Sequence, residues 1–187
     1  MNNACLEWKN INLVPYNNNY YNFIFDCYQD FLARGLFTSD VSIRTKKEFW
    51  NIFNNKINTY YHEFMVAIDS RTNSPIGFIN SFDYNANDGY LNVAIFIAEK
   101  YRKTVFTLET GIIFLNYLFS TYPIRKIYCT VFDYNIDSLN FLKKAGFLLE
   151  GELKKHKYFN GEYHNMQIFV LYRDMLKEIS NKFKYRI

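Results

Sequence analysis

Three short apolar runs in the middle of the chain, joined by very short turns, constrain the fold more than any other feature. The runs are HEFMVAID (62–69), PIGFINSFDY (75–84) and YLNVAIFIA (90–98), and the connecting turns are SRTNS and NANDG. Strands joined by so few residues are antiparallel neighbours, because a parallel crossover needs about a dozen residues or more. The sequence therefore predicts an antiparallel meander at the centre of a sheet.

Helical and strand-like patterns alternate on both sides of this meander. Apolar spacing predicts helices over about 18–34, 46–59, 104–120 and 138–145, and strands over 11–16, 126–132, 147–159 and 162–176. The order is strand, two helices, three strands, helix, strand, helix and two strands, which predicts an α+β fold around a single mixed sheet. The length of 187 residues suits one domain over the whole chain, residues 1–187.

Composition and cysteine spacing exclude several classes of protein. The net charge of +4 is too small to favour a nucleic-acid partner, and no stretch is apolar for the length of a membrane span. Cys5, Cys27 and Cys129 are widely spaced, without a CxxC motif or a histidine cluster, so neither a disulfide framework nor a metal site is predicted. We expect a cytoplasmic protein with no nucleic-acid or membrane partner. Cys129, inside a predicted strand, is expected in the core and not as a nucleophile.

The C-terminal half carries the most specific pattern in the sequence. It places NxxS (135–138), AGFxxEG (145–151), a lysine-rich strand and FNGEYHN (159–165) in this order and spacing. Taken alone, Asn135 and Ser138 are explained as helix caps. The full pattern resembles the GNAT superfamily of acyl-CoA N-acyltransferases, and within it the ribosomal-protein-alanine and spermidine acetyltransferases, over roughly residues 8–175.

The resemblance implies a fold and a site for acetyl-CoA as co-substrate. The fold is a single mixed, mostly antiparallel sheet of about seven strands flanked by helices, with a splayed strand pair whose free backbone groups bind the pantetheine arm. The start of the following helix would hold the pyrophosphate through its amides and dipole. Carried over, the cofactor-binding residues are Ala94, Ile95, Phe96 and Ile97, then Arg102, Lys103, Thr104, Val105, Phe106 and Thr107, and finally Asn135 and Ser138.

The helix start, in EKYRKTVFTLETG, departs from the family pattern, which has Gly at the position of Val105, Gly or Ala at that of Thr107, and often Gly at that of Lys103. Glycine allows close backbone approach and positive φ, which a β-branched side chain resists. Two alternatives follow. Amides with ordinary dihedral angles still bind the pyrophosphate, helped by Lys103 and the hydroxyls of Thr104 and Thr107. Otherwise the loop follows another path and binds the cofactor weakly, binds another donor such as an acyl carrier protein, or binds no donor. In the last case the protein is a GNAT-fold binding module.

The catalytic residues are only partly indicated by the resemblance. Many family members use a Tyr as the general acid four residues before the Gly of the GF pair, and here that position is Leu142. Ser138 is then the nearest hydroxyl, and Tyr134 is a looser alternative. The candidate bases are Asp83, Glu99, Glu150 and His156. The sequence thus predicts an N-acetyltransferase that moves an acetyl group to a primary amine (a small amine, an amino sugar or a protein N-terminus) by direct attack, and it leaves a homodimer open.

Overall fold

The computed structural model describes residues 6–29, 34–36, 42, 44–102 and 104–182. Its elements run in the order β1 (Leu6–Trp8), β2 (Ile11–Pro15), α1 (Tyr21–Gln29), α2 (Lys46–Thr59), β3 (Tyr61–Asp69), β4 (Ser74–Asn85), β5 (Tyr90–Ile97), α3 (Val105–Thr121), β6 (Lys126–Phe132), α4 (Ile136–Ala145), β7 (Leu148–Phe159), β8 (Glu162–Tyr172) and α5 (Met175–Lys182). Single 3-10 turns precede α1, at Asn18–Tyr20, and α3, at Glu99–Tyr101.

The strands form one sheet in the order β1-β2-β3-β4-β5-β6-β8-β7. All neighbours are antiparallel except β5 and β6, which are parallel, so the predicted α+β class with a mixed, mostly antiparallel sheet is confirmed. Over the described residues the sheet has eight strands instead of about seven, because β1 is three residues long and too short to show a periodicity. The last strand ends at Tyr172 and not at 176, and the chain continues as α5, which the sequence prediction missed.

Helices cover both faces of the sheet, as the predicted architecture requires. Helices α3, α4 and α5 pack on one face, over a core that includes Val93 of β5 and Val131 of β6. Helices α1 and α2 pack on the other face, over β2 to β5, with Phe49, Phe78 and Phe96 among the buried rings. The helix predicted over 18–34 is observed as the 3-10 turn followed by α1. Residues 30–33 of that prediction lie outside the described part of the chain, and residues 34–36 are again helical.

The parallel strands β5 and β6 separate after three residue pairs. Tyr90, Leu91 and Asn92 pair with Lys126, Ile127 and Tyr128, and no further pair of the two strands follows among the described residues. Beyond Asn92, residues 93–97 of β5 and 129–132 of β6 therefore line a gap that widens towards the starts of α3 and α4. This gap is the splay that the resemblance implied.

Candidate functional site

The strand side of the gap is formed by alternate residues of β5. The amide of Ala98 donates to the carbonyl of Ile76 at 2.8 Å, so the main chain at Ala98 faces β4. The β4–β5 register is continuous from Asn92 to Ile97. Because successive residues of a strand turn their backbone groups to opposite sides, Ile97, Ile95 and Val93 direct their N–H and C=O groups towards the gap.

Only some of the strand residues that the sequence indicated turn their main chain towards the gap. Ile95 and Ile97 face the gap with their main chain, whereas the main chains of Ala94 and Phe96 face β4. The ring of Phe96 is buried and stacks on Phe78 with the centroids 5.1 Å apart. The residues indicated by the sequence include Phe96, whose main chain faces β4, and not Val93, whose main chain faces the gap. The alternation of backbone direction along β5 is expected for any strand. Which residues face the gap depends on the pairing register with β4, and a sequence does not determine that register to within one residue.

Arg102 closes the far end of β5. Its Nε donates to the carbonyl of Ile97 at 2.9 Å, and its guanidinium carbon lies 5.4 Å from the centre of the Phe96 ring. The carbonyl of Ile97 is therefore already hydrogen-bonded, which leaves Ile95 and Val93 as the residues best placed to pair with a ligand in the gap. The same bond fixes a positive charge beside the start of α3.

Thr104 is the N-cap of α3. Its hydroxyl accepts a hydrogen bond from the amide of Phe106 at 3.3 Å and donates one to the carbonyl of Tyr101 at 2.6 Å. Its φ is −106°, that of Arg102 is −65°, and within the described part of the turn no residue has a positive φ. The described backbone therefore takes its path without glycine. Lys103 lies outside the described residues.

The bulky side chains at the start of α3 lie either in the core or at the surface. Phe106 is 7% exposed and packs into the core beside Tyr101, whereas Val105 is 54% exposed at the surface. Thr107 is partly buried in the first turn. The first-turn amides of a helix have no partner within the helix, and the hydroxyl of Thr104 satisfies one of them. The helix start, with Arg102 beside it, suits an anion.

Asn135 caps α4, as the capping interpretation predicted, whereas Ser138 lies inside the helix and supplies the amide that is capped. The Oδ1 of Asn135 accepts from the amide of Ser138 at 3.2 Å, and its Nδ2 donates to the carbonyl of Leu36 at 3.3 Å. Gly146 closes the helix in the left-handed region, with φ 96°. Leu142, at the position of the family's tyrosine acid, is buried in the core. The cofactor contacts of Asn135 and Ser138 stay predictions, as does a catalytic role for Ser138.

The four candidate bases lie in different places. Asp83 is exposed at a bulge in β4, next to the paired end of β5, and has φ 49°. Glu99 is exposed in the 3-10 turn before α3. His156 is exposed on β7, the edge strand of the sheet. Their catalytic roles stay predictions, and the structure does not bring them together around the gap.

Glu150, the fourth candidate, is the counter-ion of a buried lysine. Its Oε1 accepts from the Nζ of Lys126 and from the hydroxyl of Tyr128, both at 2.9 Å. Lys126 is only 7% exposed. The hydrogen bond from Lys126 holds the pKa of Glu150 below its usual range. This carboxylate is thus a weaker base than an unpaired one.

We expect Glu150→Gln to lower the free energy of unfolding by about 1 to 2 kcal/mol at pH 7, because it leaves the Lys126 ammonium without its carboxylate. The pKa of Glu150 is lowered in the folded state, so its contribution is present above the unfolded pKa and lost as the pH falls below about 4. Urea unfolding at pH 7 and pH 3 should show the difference from wild type shrinking. Glu162→Gln, exposed on β8, is the control. Equal stability of the two variants at pH 7 would contradict the ion-pair assignment.

Neither of the two cysteines in the described part of the chain offers a nucleophile, and Cys5 lies outside that part. Cys129 packs against the core under α3, as predicted, and burial raises the pKa of its thiol to about 12. Burial raises the pKa of Cys27 to about 12 as well. Within the described ranges, no group of three or more His, Cys, Asp or Glu side chains is arranged to hold a metal ion. Among the helices of the same ranges, none is long and apolar enough to span a membrane.

The fold is shared with solved acetyltransferase structures. A spermidine N-acetyltransferase from Vibrio cholerae, crystallised with CoA and spermine, superimposes with a TM-score of 0.81 and 18% sequence identity, covering 90% of this chain and 98% of that one. A GCN5-related N-acetyltransferase from Brucella melitensis superimposes with a TM-score of 0.79 and 17% identity, covering 96% of this chain and 83% of that one. At these identities the likeness is one of fold.

Sequence comparisons extend the likeness beyond the fold. The chain is 28% identical over 109 residues, 58% of its length, to an uncharacterized prophage-derived N-acetyltransferase of Bacillus subtilis, YokL. The match spans 61% of the length of that curated relative. The family model described as "Acetyltransferase (GNAT) domain" matches residues 12–148, which include the meander, the gap and all of α4. The chain therefore belongs to the GNAT acetyltransferase domain family.

Proposed function

We propose that this protein transfers an acetyl group from acetyl-CoA to a primary amine. The observation that carries the proposal is the separation of β5 from β6 after Asn92, which leaves the main-chain groups of Val93 and Ile95 facing a gap that leads to the start of α3. Buried backbone groups need hydrogen-bond partners. The amides of a pantetheine arm match this need, because they supply both donors and acceptors along an extended chain.

The start of α3 fits the pyrophosphate of the same cofactor. Its first-turn amides and its dipole favour a negative charge, and Arg102 adds a positive one beside them. The missing glycines do not argue against this assignment, because Arg102 and Thr104 have ordinary dihedral angles and Val105 lies at the surface. We therefore prefer acetyl-CoA over another donor or none.

The transfer step needs no covalent intermediate. The amine nitrogen forms a bond to the thioester carbonyl carbon, the carbon–sulfur bond breaks, the amine loses a proton to a base or to water, and the CoA thiolate gains one. A gap-facing amide of β5 stabilises the carbonyl oxygen as its charge grows. We assign the hydroxyl of Ser138, at the start of α4, as the group that gives this proton to the CoA thiolate. The thiol of Cys129 stays protonated because burial raises its pKa to about 12, so direct attack is favoured over an acyl-cysteine.

The acceptor is assigned here only as a primary amine. The V. cholerae neighbour holds spermine together with CoA, which supports including polyamines among the candidates. Amino sugars and protein N-termini remain in the same class, since all three present one amine for attack.

Two measurements test the proposal. Acetyl-CoA should raise the melting temperature as its concentration passes its Kd, because it binds only the folded protein. Free thiol should then appear when spermidine, glucosamine or a peptide with a free N-terminus is added with acetyl-CoA. No thermal shift at millimolar acetyl-CoA would overturn the proposal in favour of the binding module. A thermal shift with no thiol released by any amine would overturn the acceptor class.

A further inference from the structure

A short helical segment between α1 and α2 is hydrogen-bonded to two residues that follow β6, at one side of the gap. The Tyr134 hydroxyl donates to the carbonyl of Gly35 at 2.5 Å, and the Asn135 side chain donates to that of Leu36 at 3.3 Å. Both donors follow directly on β6, whereas α1 and α2 pack over β2 to β5. Residues 34–36, which we call the strap, therefore lie at the β6 side of the gap, within the part of the chain that joins α1 to α2.

The strap fits its position closely. A β carbon at Gly35 would lie 2.3 Å from the Cζ of Phe159, so the strap backbone lies directly against this ring at the end of β7. Arg34 is 4% exposed, and its Nη1 donates to the carbonyl of Ser42 at 2.9 Å. The strap is thus held on the β7 side by van der Waals contact and on the α2 side by a hydrogen bond.

The ring of Tyr134 is held by contacts with residues outside the strap. It stacks on Phe132 and Phe159, with centroids 5.6 and 5.1 Å away, and meets the edge of His164 at 4.6 Å. His164 is in turn held by Asp133, with its Nδ1 3.2 Å from the carboxylate. Burial, with the charge of Asp133, raises the pKa of Tyr134 to about 12, so the hydroxyl stays protonated as a donor at neutral pH.

The strap lies on the face from which an amine would approach. Val131 belongs to the core under α3, so the next residue, Phe132, faces the side where α1 and α2 lie. The pyrophosphate is assigned to the start of α3, at the other side of the gap. An amine that attacks the thioester directly must reach it from a side that acetyl-CoA does not occupy. The strap lies beside this approach.

We propose that Tyr134 is a positioning residue for the acceptor: its hydroxyl docks the strap at the β6 side of the gap, and the docked strap forms one wall of the acceptor site. The acceptor part rests on the proposed function, whereas the docking does not. The proton of Tyr134 faces the carbonyl of Gly35 and not the gap, so this residue is not the general acid.

Tyr134→Phe tests the acceptor part by steady-state kinetics. Loss of one hydrogen bond should raise KM for the amine about threefold to tenfold, with KM for acetyl-CoA and the shape of the pH profile unchanged. Tyr163→Phe, 66% exposed on the β7–β8 hairpin, is the matched control. An unchanged KM for the amine, or a fall in kcat with loss of the alkaline limb of the pH profile, would overturn the positioning role.

Trypsin tests the docking without any assay of activity. Cleavage after a basic residue requires the Arg34–Gly35 bond to leave the docked position, so its rate follows the opening of the strap. We expect Tyr134→Phe to speed this cleavage about threefold to tenfold, and Gly35→Ala, which pushes the strap off Phe159, to speed it more. Cleavage at the wild-type rate in both variants would overturn the docking. Faster cleavage in a protein that acetylates no amine would uphold the docking and reject the proposed function.

Discussion

Replacing Gly77 with alanine should destabilise the protein by about 3 kcal/mol and weaken acetyl-CoA binding severely. A β carbon at this position would lie 2.2 Å from the carbonyl oxygen of Phe96 and 2.7 Å from the Cδ1 of Ile97. The first of these atoms belongs to the backbone of β5, so it cannot rotate away. Strands β4 and β5 would have to separate, and β5 is the strand that presents its backbone to the gap.

Gly111 provides the control for this substitution. It lies within α3, and a β carbon there would meet nothing within 4 Å. Gly111→Ala should therefore stabilise the protein by about 0.5 to 1 kcal/mol, because alanine favours a helix over glycine. Urea unfolding of the two variants measures both effects. A Gly77→Ala protein as stable as wild type would show that β4 and β5 are not packed as described.

Placing an aspartate at Val105 should raise the Kd for acetyl-CoA about tenfold to a hundredfold, because its carboxylate would stand next to the pyrophosphate. The same charge complements the dipole at the start of α3, so the protein without ligand should keep its stability or gain a few tenths of a kcal/mol. The side chain is 54% exposed, which makes room for the change. Binding and stability thus move in opposite directions, which a general unfolding effect cannot produce.

Val105→Asn is the matched variant, with the shape of aspartate and no charge. Calorimetric titration with acetyl-CoA at low and at high salt compares the two. The difference in Kd should shrink at about 1 M salt, where charges are screened within a few ångströms. Equal affinities of the Asp and Asn variants at low salt would mean that the pyrophosphate binds elsewhere.

The fold was predictable because short turns leave few choices. The five-residue links SRTNS and NANDG force antiparallel neighbours, and the helical spacing in 46–59 gives α2 with its observed bounds. The prediction missed β1, which is too short to show alternation, and α5, whose first turn reads as the end of an apolar strand. In both places the pattern of apolar and polar residues is too short to distinguish a helix from a strand or a loop.

The parts of the candidate site that could be predicted are those that depend on residues close together in the sequence. The cap of α4 by Asn135 was predicted from local sequence and is observed, whereas the cap of α3 by Thr104 was not predicted. The choice of Val93 over Phe96 depends on a register that a one-residue shift reverses. The bond from Tyr134 to Gly35 joins residues 99 positions apart, and no periodicity reports such a contact.

Amide hydrogen exchange on β5, with and without acetyl-CoA, tests the central claim most directly. If the backbone facing the gap binds the pantetheine arm, the amides of Val93 and Ile95 should gain protection when the cofactor is present, while those of Ala94 and Phe96, already paired with β4, should change little. Acetyl-CoA that raises the melting temperature but leaves Val93 and Ile95 exchanging at their original rates would contradict the account.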